Sequence, residues 1–302
     1  MKLNFQSVTN SRAAVILTLW IGKILPLSAA YRLADWSARQ IARRDNSITD
    51  AIRSNQWVVR GENSTPAELD EAVCEVLGHA GRCFADLYHN LTNPEDLKTL
   101  FPLTDNIRTL IAHCQFDTPG AFVVAPHTSA FDLVLLTLAY HGMNGKVLSY
   151  GNPTGGYKLQ NDLRAATGLE IIPVRGHDTD DELIEYMRKG GIVITAVDRP
   201  IRKKAHTLTF FGRPSPLPAG HIRMALEAKV PVIVVAPQSL SNGTYHLRLS
   251  EPIFMQPHPD PAQALRQHAE AVLSIIEGYI REAPGQWLMY YPVWPNVMRN
   301  AK

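Results

Sequence analysis

Cysteine is scarce in this chain: Cys74, Cys83 and Cys114 are the only three in 302 residues, and none forms a Cys-x-x-Cys pair. An odd, sparse count supplies neither a disulfide framework nor a zinc cluster. It fits a reducing compartment, where such residues serve as small buried hydrophobes. Long apolar runs are missing too. Residues 13–22 (AAVILTLWIG) are apolar, but Lys23 and Pro26 soon interrupt them, short of the ~20 residues a membrane-spanning helix needs. No small-residue cleavage site follows, so a signal peptide is not the preferred reading. There is no G-x-S-x-G, no G-x-G-x-x-G and no Walker A lysine loop. Serine-hydrolase, dinucleotide-binding and P-loop readings therefore lose their defining feature. Aromatics interleaved with Lys/Arg are lacking, which argues against nucleic acid as a partner. Neither an internal repeat nor a low-complexity linker divides the chain.

The charge that is present is unevenly placed. Residues 1–60 hold nine Lys/Arg against three acids, a local +6 that leaves −4 for the remainder of a chain with net charge +2. A basic, amphipathic start on a mildly acidic body points to an anionic membrane surface. The apolar pattern continues past residue 22 through Ala29, Leu33, Trp36 and Ile41. It reads equally as an interfacial helix bearing Trp20 and Trp36 or as a helix of the core.

Composition is that of a globular protein, 45% hydrophobic and 19% charged. Thr65-Pro66-Ala67-Glu68 predicts a capped helix start, with the helix running to about Tyr88, and Pro94 opens a further short one. From Gly120 the texture changes. Strands are predicted at Phe122–Ala125, Lys146–Tyr150, Leu169–Val174, Ile192–Val197, Thr207–Phe210 and Val232–Ala236. They alternate with helices at Ser129–His141, near Tyr157–Thr167, at Asp180–Lys189 and at Ala219–Ala228. Tyr245–Leu249 reads as an antiparallel edge and Ala262–Arg281 as a long amphipathic helix. This alternation predicts an α/β fold with a mostly parallel sheet flanked by helices. The organisation expected is one domain over 1–302: a basic helical segment over 1–60, a helical part over 61–118 and an α/β core over 119–302.

The chain centres on Ala121–Asp132, AFVVAPHTSAFD. A buried strand breaks at Pro126 and delivers His127, then Thr128 and Ser129 as candidate caps, then Asp132. A neutral imidazole can take the proton of an attacking hydroxyl, and a carboxylate can hold its tautomer. On one straight helix His127 and Asp132 would not share a face, so the pairing requires His127 to lie in the turn before it. A capping histidine and an ordinary helical aspartate satisfy the same spacing. Arg164, Arg175 and Asp198-Arg199-Pro200 fall at strand–helix junctions, where α/β folds gather ligand groups and where arginine suits phosphate or a developing oxyanion. Surface ion pairs are the plain alternative. Phe210-Phe211-Gly212 can line an acyl groove or simply belong to the core. The run from His177 to Glu182 reads as an acidic first turn rather than a metal site.

Taken together, these stretches resemble the glycerolipid (lysophospholipid) acyltransferase superfamily. The blocks are His127 with Asp132, then Gly168 to Arg175, and later the Pro-flanked strand Val230–Pro237. The third block departs from the E-G-T-R type of the glycerol-phosphate branch. Lys189-Gly190-Gly191, Asp198, Phe210-Phe211-Gly212, Arg164 before Gly168, and Gln286-Trp287 resemble the lipid A biosynthesis and phosphatidylinositol-mannoside acyltransferase branch. That branch often carries His-x-Gly-Asn-Trp-Glu, whereas this chain has His127-Thr128-Ser129-Ala130-Phe131-Asp132, and its tail lacks the usual arginine-rich end.

The resemblance implies an O-acyltransferase moving a fatty acyl chain from a thioester, on CoA or acyl-carrier protein, to a hydroxyl of a membrane lipid or glycolipid. His127 is expected as base and Asp132 as its partner, without an acyl-enzyme. Arg164, Arg175, Asp198, Arg199, Phe210, Phe211 and Gly212 are expected around substrate. No metal and no cofactor beyond the thioester are implied, and the expected location is peripheral, on the cytoplasmic face of the cell membrane. A lysophospholipid acyltransferase, a non-catalytic lipid binder and a thioesterase are the competing readings. The last lacks a serine or cysteine nucleophile in a suitable setting.

Overall fold

A computed structural model describes Trp20 and residues 24–91, 93–113, 120–151, 153, 155–174, 179–201 and 206–297. Arg175, Cys114, His177, Asp178 and all of the 13–22 run except Trp20 lie outside the described residues.

Helices occupy the first third, as the pattern predicts: α1 (Leu27–Ala42), α2 (Ser47–Arg60), α3 (Pro66–Asn90), α4 (Pro94–Leu100) and α5 (Asp105–His113). The capping box forms at α3. Thr65 Oγ1 accepts from the Glu68 amide while the Glu68 carboxylate accepts from the Thr65 amide. Asn93 caps α4. α1 lies against α3 through small residues: a Cβ placed on Gly81 would come within 2.7 Å of Ala34 Cβ. That leaves Leu33 and Trp36 on the outside.

The rest alternates: β1 (Ala121–Ala125), α6 (Phe131–Tyr140), β2 (Lys146–Tyr150), α7 (Gly155–Ala165), β3 (Glu170–Val174), α8 (Asp180–Arg188), β4 (Ile192–Ala196), β5 (His206–Phe210), β6 (Arg213–Leu217), α9 (Gly220–Ala228), β7 (Val232–Ser239), β8 (Tyr245–Leu249) and α10 (Pro261–Glu282). Six strands form one sheet in the order β3-β2-β4-β1-β7-β8. The first five are parallel to one another and β8 pairs antiparallel with β7. The predicted strand at 207–210 does not join this sheet. It pairs with β6 in a separate hairpin, closed by Phe211 and Gly212 at φ 51° and 70°, the left-handed conformations a tight hairpin turn requires.

β1 is central and buried on both faces. Phe122 and Val124 join a core with α8, α9 and α10, whereas Ala121 and Val123 join one with α3, α4, α5 and α6. The period-2 alternation of a strand produces this division. The chain leaves β1 through α6 toward β2, and leaves β4 through the hairpin and α9 toward β7. β1 and β4 are neighbours, and their connections run to opposite sides and opposite faces. Their C-terminal ends therefore flank the crevice where open α/β sheets take ligands.

One core group carries a measurable consequence. His221, at the start of α9, is buried against Phe122, and among the described residues neither ring nitrogen has a hydrogen-bond partner. Burial pushes its pKa down to about 3. The unfolded chain takes up a proton near pH 6.5 that the folded chain refuses. Stability therefore falls by about 1.4 kcal/mol per pH unit as pH drops from 6.5 toward that value. Replacing His221 with Leu is expected to remove one proton's worth of slope from the acid limb of a urea-unfolding profile. An unchanged slope would refute this role for His221.

Candidate active site

His127 emerges two residues after β1, and Asp198 two residues after the neighbouring β4. The parallel register, with Ala125 opposite Ala196, brings the two side by side. The Asp198 carboxylate is fully buried, at 0% exposure. It accepts three hydrogen bonds: from the His127 amide to Oδ2 at 2.8 Å, from the His127 ring Nδ1 to Oδ1 at 2.6 Å, and from Trp287 Nε1 to Oδ2 at 2.7 Å. Burial alone would raise its pKa. The facing imidazole, together with these donors, reverses that and holds the carboxyl below its usual range. With Nδ1 engaged, Nε2 is the ring nitrogen left for chemistry.

The carboxylate expected beside the His127 ring was Asp132, whereas the ring Nδ1 is paired with Asp198. Asp132 lies in the first turn of α6, and its Oδ1 accepts from Arg164 Nε at 2.7 Å. Arg164, on α7, is 7% exposed, also donates to Asn161 at 2.8 Å, and sits beside the rings of Phe131 and Tyr157. Burial opposes its charge, but the Asp132 carboxylate keeps the guanidinium firmly protonated. The spacing predicted a local pair. The fold instead gives each acid a base from a different element.

The turn that holds His127 is tied down by the segment following α10. Leu288 N donates to His127 O at 2.7 Å, and Ser129 N to Gln286 O at 2.8 Å. Trp287, which donates to Asp198, also bridges Thr128. The expected capping by Thr128 and Ser129 does not occur. The N-cap of α6 is Ala130, with no side-chain cap. Thr128 Oγ1 donates instead to Pro237 O, and Ser129 Oγ lies 3.1 Å from His79 Nε2.

Phe210 and Phe211, expected around substrate, sit away from the His127 ring. They pack with Trp287 and Trp294 in an aromatic cluster behind the Asp198 carboxylate, and Gly212 is exposed in the hairpin turn. None of the three lines the cavity described next. Their connection to the site runs through Trp287.

A cavity of about 570 Å³ opens beside His127. Asp132, Arg164 and Arg199 line it with His127, and most of the remaining wall is apolar. On one side lie Ile41, Leu77 and Phe84 from the helical third, on the other Val123, Val134, Leu138 and Val235. The Arg199 guanidinium lies 3.8 Å from the centre of the Tyr291 ring. No ion pair to Arg199 is present among the described residues.

A histidine held by a buried carboxylate, at the switch point of a parallel sheet and beside an apolar cavity, stands where α/β folds take their ligands. A family model, "Bacterial lipid A biosynthesis acyltransferase", matches residues 6–295. The chain therefore belongs to that family. Two curated relatives carry the name "Phosphatidylinositol mannoside acyltransferase", both from Mycobacterium tuberculosis. The protein of strain CDC 1551 / Oshkosh is 25% identical over 212 residues, and that of strain H37Rv 27% over 211. The match covers 68% of this chain and 65% of the length of each relative.

The pairing of Asp132 with Arg164 rather than His127 is open to a stability test. Removing one partner of a buried ion pair leaves an uncompensated charge and costs about 3–5 kcal/mol, whereas replacing both with apolar side chains recovers much of it. Asp132→Leu and Arg164→Met are each expected to lower the urea midpoint strongly, and the double variant to lie well above the sum. Strict additivity would show that the two residues are not each other's partners.

Proposed function

We propose that the protein is an O-acyltransferase. The observation that carries this is the 2.6 Å contact between His127 Nδ1 and the buried Asp198 at the mouth of an apolar cavity. An acyl thioester, on CoA or acyl-carrier protein, lays its chain in the cavity. A hydroxyl of a membrane lipid or glycolipid gives its proton to His127 Nε2 as its oxygen attacks the thioester carbonyl carbon. Asp198 keeps the ring in the required tautomer and stabilises the imidazolium that forms. The carbon–sulfur bond then breaks, and the imidazolium returns the proton to the leaving thiolate. No acyl-enzyme is formed, and nothing beyond the thioester is needed as cofactor. Arg164, immobilised by Asp132, offers its remaining guanidinium protons to the oxyanion. Arg199, stacked on Tyr291, is placed for an anionic group of substrate. The names of the mycobacterial relatives support a phosphorylated glycolipid as acceptor.

The outer surface supports a membrane as the place of work. Trp20, Ile24, Leu33 and Trp36 are exposed, with Trp36 60% accessible, and Arg32, Arg39, Arg43 and Arg44 surround them. Apolar side chains framed by arginines suit an anionic bilayer surface. Tyr150, Val174 and Leu240 add exposed apolar groups at the C-terminal ends of β2, β3 and β7, the edge from which His127 and Asp198 emerge.

The test is thiol release from acyl-CoA or acyl-carrier protein with and without lipid extract, with the acylated product read by mass spectrometry. Release is expected only with acceptor. Acceptor-independent release would make the protein a thioesterase, and no release would leave a lipid binder. Within that assay His127→Ala is expected to abolish transfer, and Asp198→Asn to lower it by roughly 10²–10⁴-fold. A fully active His127→Ala variant sinks the mechanism. Membrane binding is tested separately. Leu33→Asp with Trp36→Asp should weaken co-sedimentation with anionic vesicles about tenfold or more, with no change in unfolding midpoint. Unaltered binding would place the membrane face elsewhere.

A further inference from the structure

The turn carrying His127 contains a backbone feature that the acyltransferase reading leaves unused. Ser129 has φ 45° and is 1% exposed. A left-handed backbone is natural for glycine and unfavourable for a residue with a Cβ. In the branch this chain resembles, glycine often stands at that position. Something must therefore hold the serine in place. Its hydroxyl does not cap α6. It lies instead 3.1 Å from Nε2 of His79, on α3, and that nitrogen lies 3.3 Å from the buried Cys83 Sγ. Burial pushes the His79 pKa down to about 4, so at neutral pH its ring is uncharged and suited to a hydroxyl partner. His79 does not line the cavity.

We infer that His79 is a positioning residue for His127: its hydrogen bond with Ser129 holds the left-handed turn that aims the His127 ring into the cavity. The inference rests on the proposed transfer reaction only for its activity readout. The mechanical route is short. His127 O and Ser129 N are both bonded to the segment 286–288 at 2.7 and 2.8 Å. A change of φ at Ser129 breaks that two-point attachment and swings His127 away from Asp198. On the α3 side the turn is anchored at the Ser129 hydroxyl, by His79 at 3.1 Å and more loosely by Cys83 Sγ at 4.0 Å. The side chain of Thr128, by contrast, is tied to Pro237 O.

Four forms of the full-length protein separate this role from plain core packing: His79→Leu, His79→Gln, Ser129→Gly and the double variant His79→Leu/Ser129→Gly. Leu fills the space without a polar atom, and Gln can place an amide near the position of Nε2. In His79→Leu, kcat for lipid-dependent transfer should fall roughly 10- to 100-fold with donor KM little changed, the scale of loss for a misplaced catalytic group. His79→Gln should retain most of the activity. Glycine holds the left-handed turn unaided, so the double variant should be close to Ser129→Gly alone.

A second readout needs no substrate. In full-length protein labelled on histidine nitrogens, the NMR signals of the His127 ring should move in His79→Leu and return in the double variant. Equal loss of activity from His79→Leu in both backgrounds would overturn the inference, and so would His127 signals that do not move. If the ring signals behave as expected but no variant, wild type included, transfers acyl groups, the positioning role stands and the acyltransferase reading fails.

Discussion

Everything around the site depends on keeping one carboxylate charged in the interior. Asp198 has no contact with water, and a buried carboxylate is tolerated only when donors replace its hydration. Its three donors come from two places far apart in the sequence, the turn after β1 and the segment after α10. Satisfying Asp198 therefore requires the C-terminal segment to return across the top of the sheet. Gln286 bonds both ways with the Ser239 backbone, and Leu288 bonds His127 O. The aromatic cluster of Phe210, Phe211, Trp287 and Trp294 supports the indole that reaches the carboxylate. Phe210 and Phe211 thus support the indole that reaches Asp198.

The sheet was legible because parallel strands are buried on both faces and read as short continuous apolar runs. Element boundaries there agree to within a residue, except that β7 runs on to Ser239, three residues past the predicted end. What escaped was structure built from polar burial. α2 lies in the stretch expected to be helical, but nothing in the pattern marks Ser54, Asn55 and Gln56 as its buried residues. Asn55 donates to Met289 O and Tyr291 O, and Gln56 to Pro284 O. The helix is held by backbone carbonyls of the same C-terminal segment, a partner more than two hundred residues away that no local pattern reveals. β6 escaped for another reason. Its two prolines, Pro214 and Pro216, argue against a central strand, and it forms instead in a two-stranded hairpin that leaves one side of each strand unpaired.

α1 shows why two readings of one helix can both hold. An amphipathic period says only that one face differs from another. Here the face carrying Ala30, Ala34 and Ala38 lies on α3, where Gly78 and Gly81 permit close approach. The large apolar residues that looked like core material point outward. Packing through small residues is adequate to seat a helix, and it leaves the bulky Leu33 and Trp36 exposed. The periodicity was correct, but the assignment of its faces required knowing the size of the partner's side chains.

The same lesson applies to His127 and Asp132. A spacing of five residues invites a local pair, yet the strand-to-helix turn sends the two side chains to different partners. His127 meets the acid from the adjacent strand, and Asp132 meets the base from α7. The outcome is one ion pair, Asp132 with Arg164, and one hydrogen-bonded pair, His127 with Asp198. Had Asp132 held the imidazole, Arg164 would be buried without an opposite charge and Asp198 without its ring donor, each at a cost of several kcal/mol. Distributing the four groups as they are removes both penalties. It also leaves Arg199, stacked on Tyr291, as a cavity-lining guanidinium with no ion pair among the described residues. Among the described residues lining the cavity, Arg164 is neutralised by Asp132, and Arg199 is the arginine left without a carboxylate. That is the electrostatic form on which the proposed acceptor with an anionic group rests.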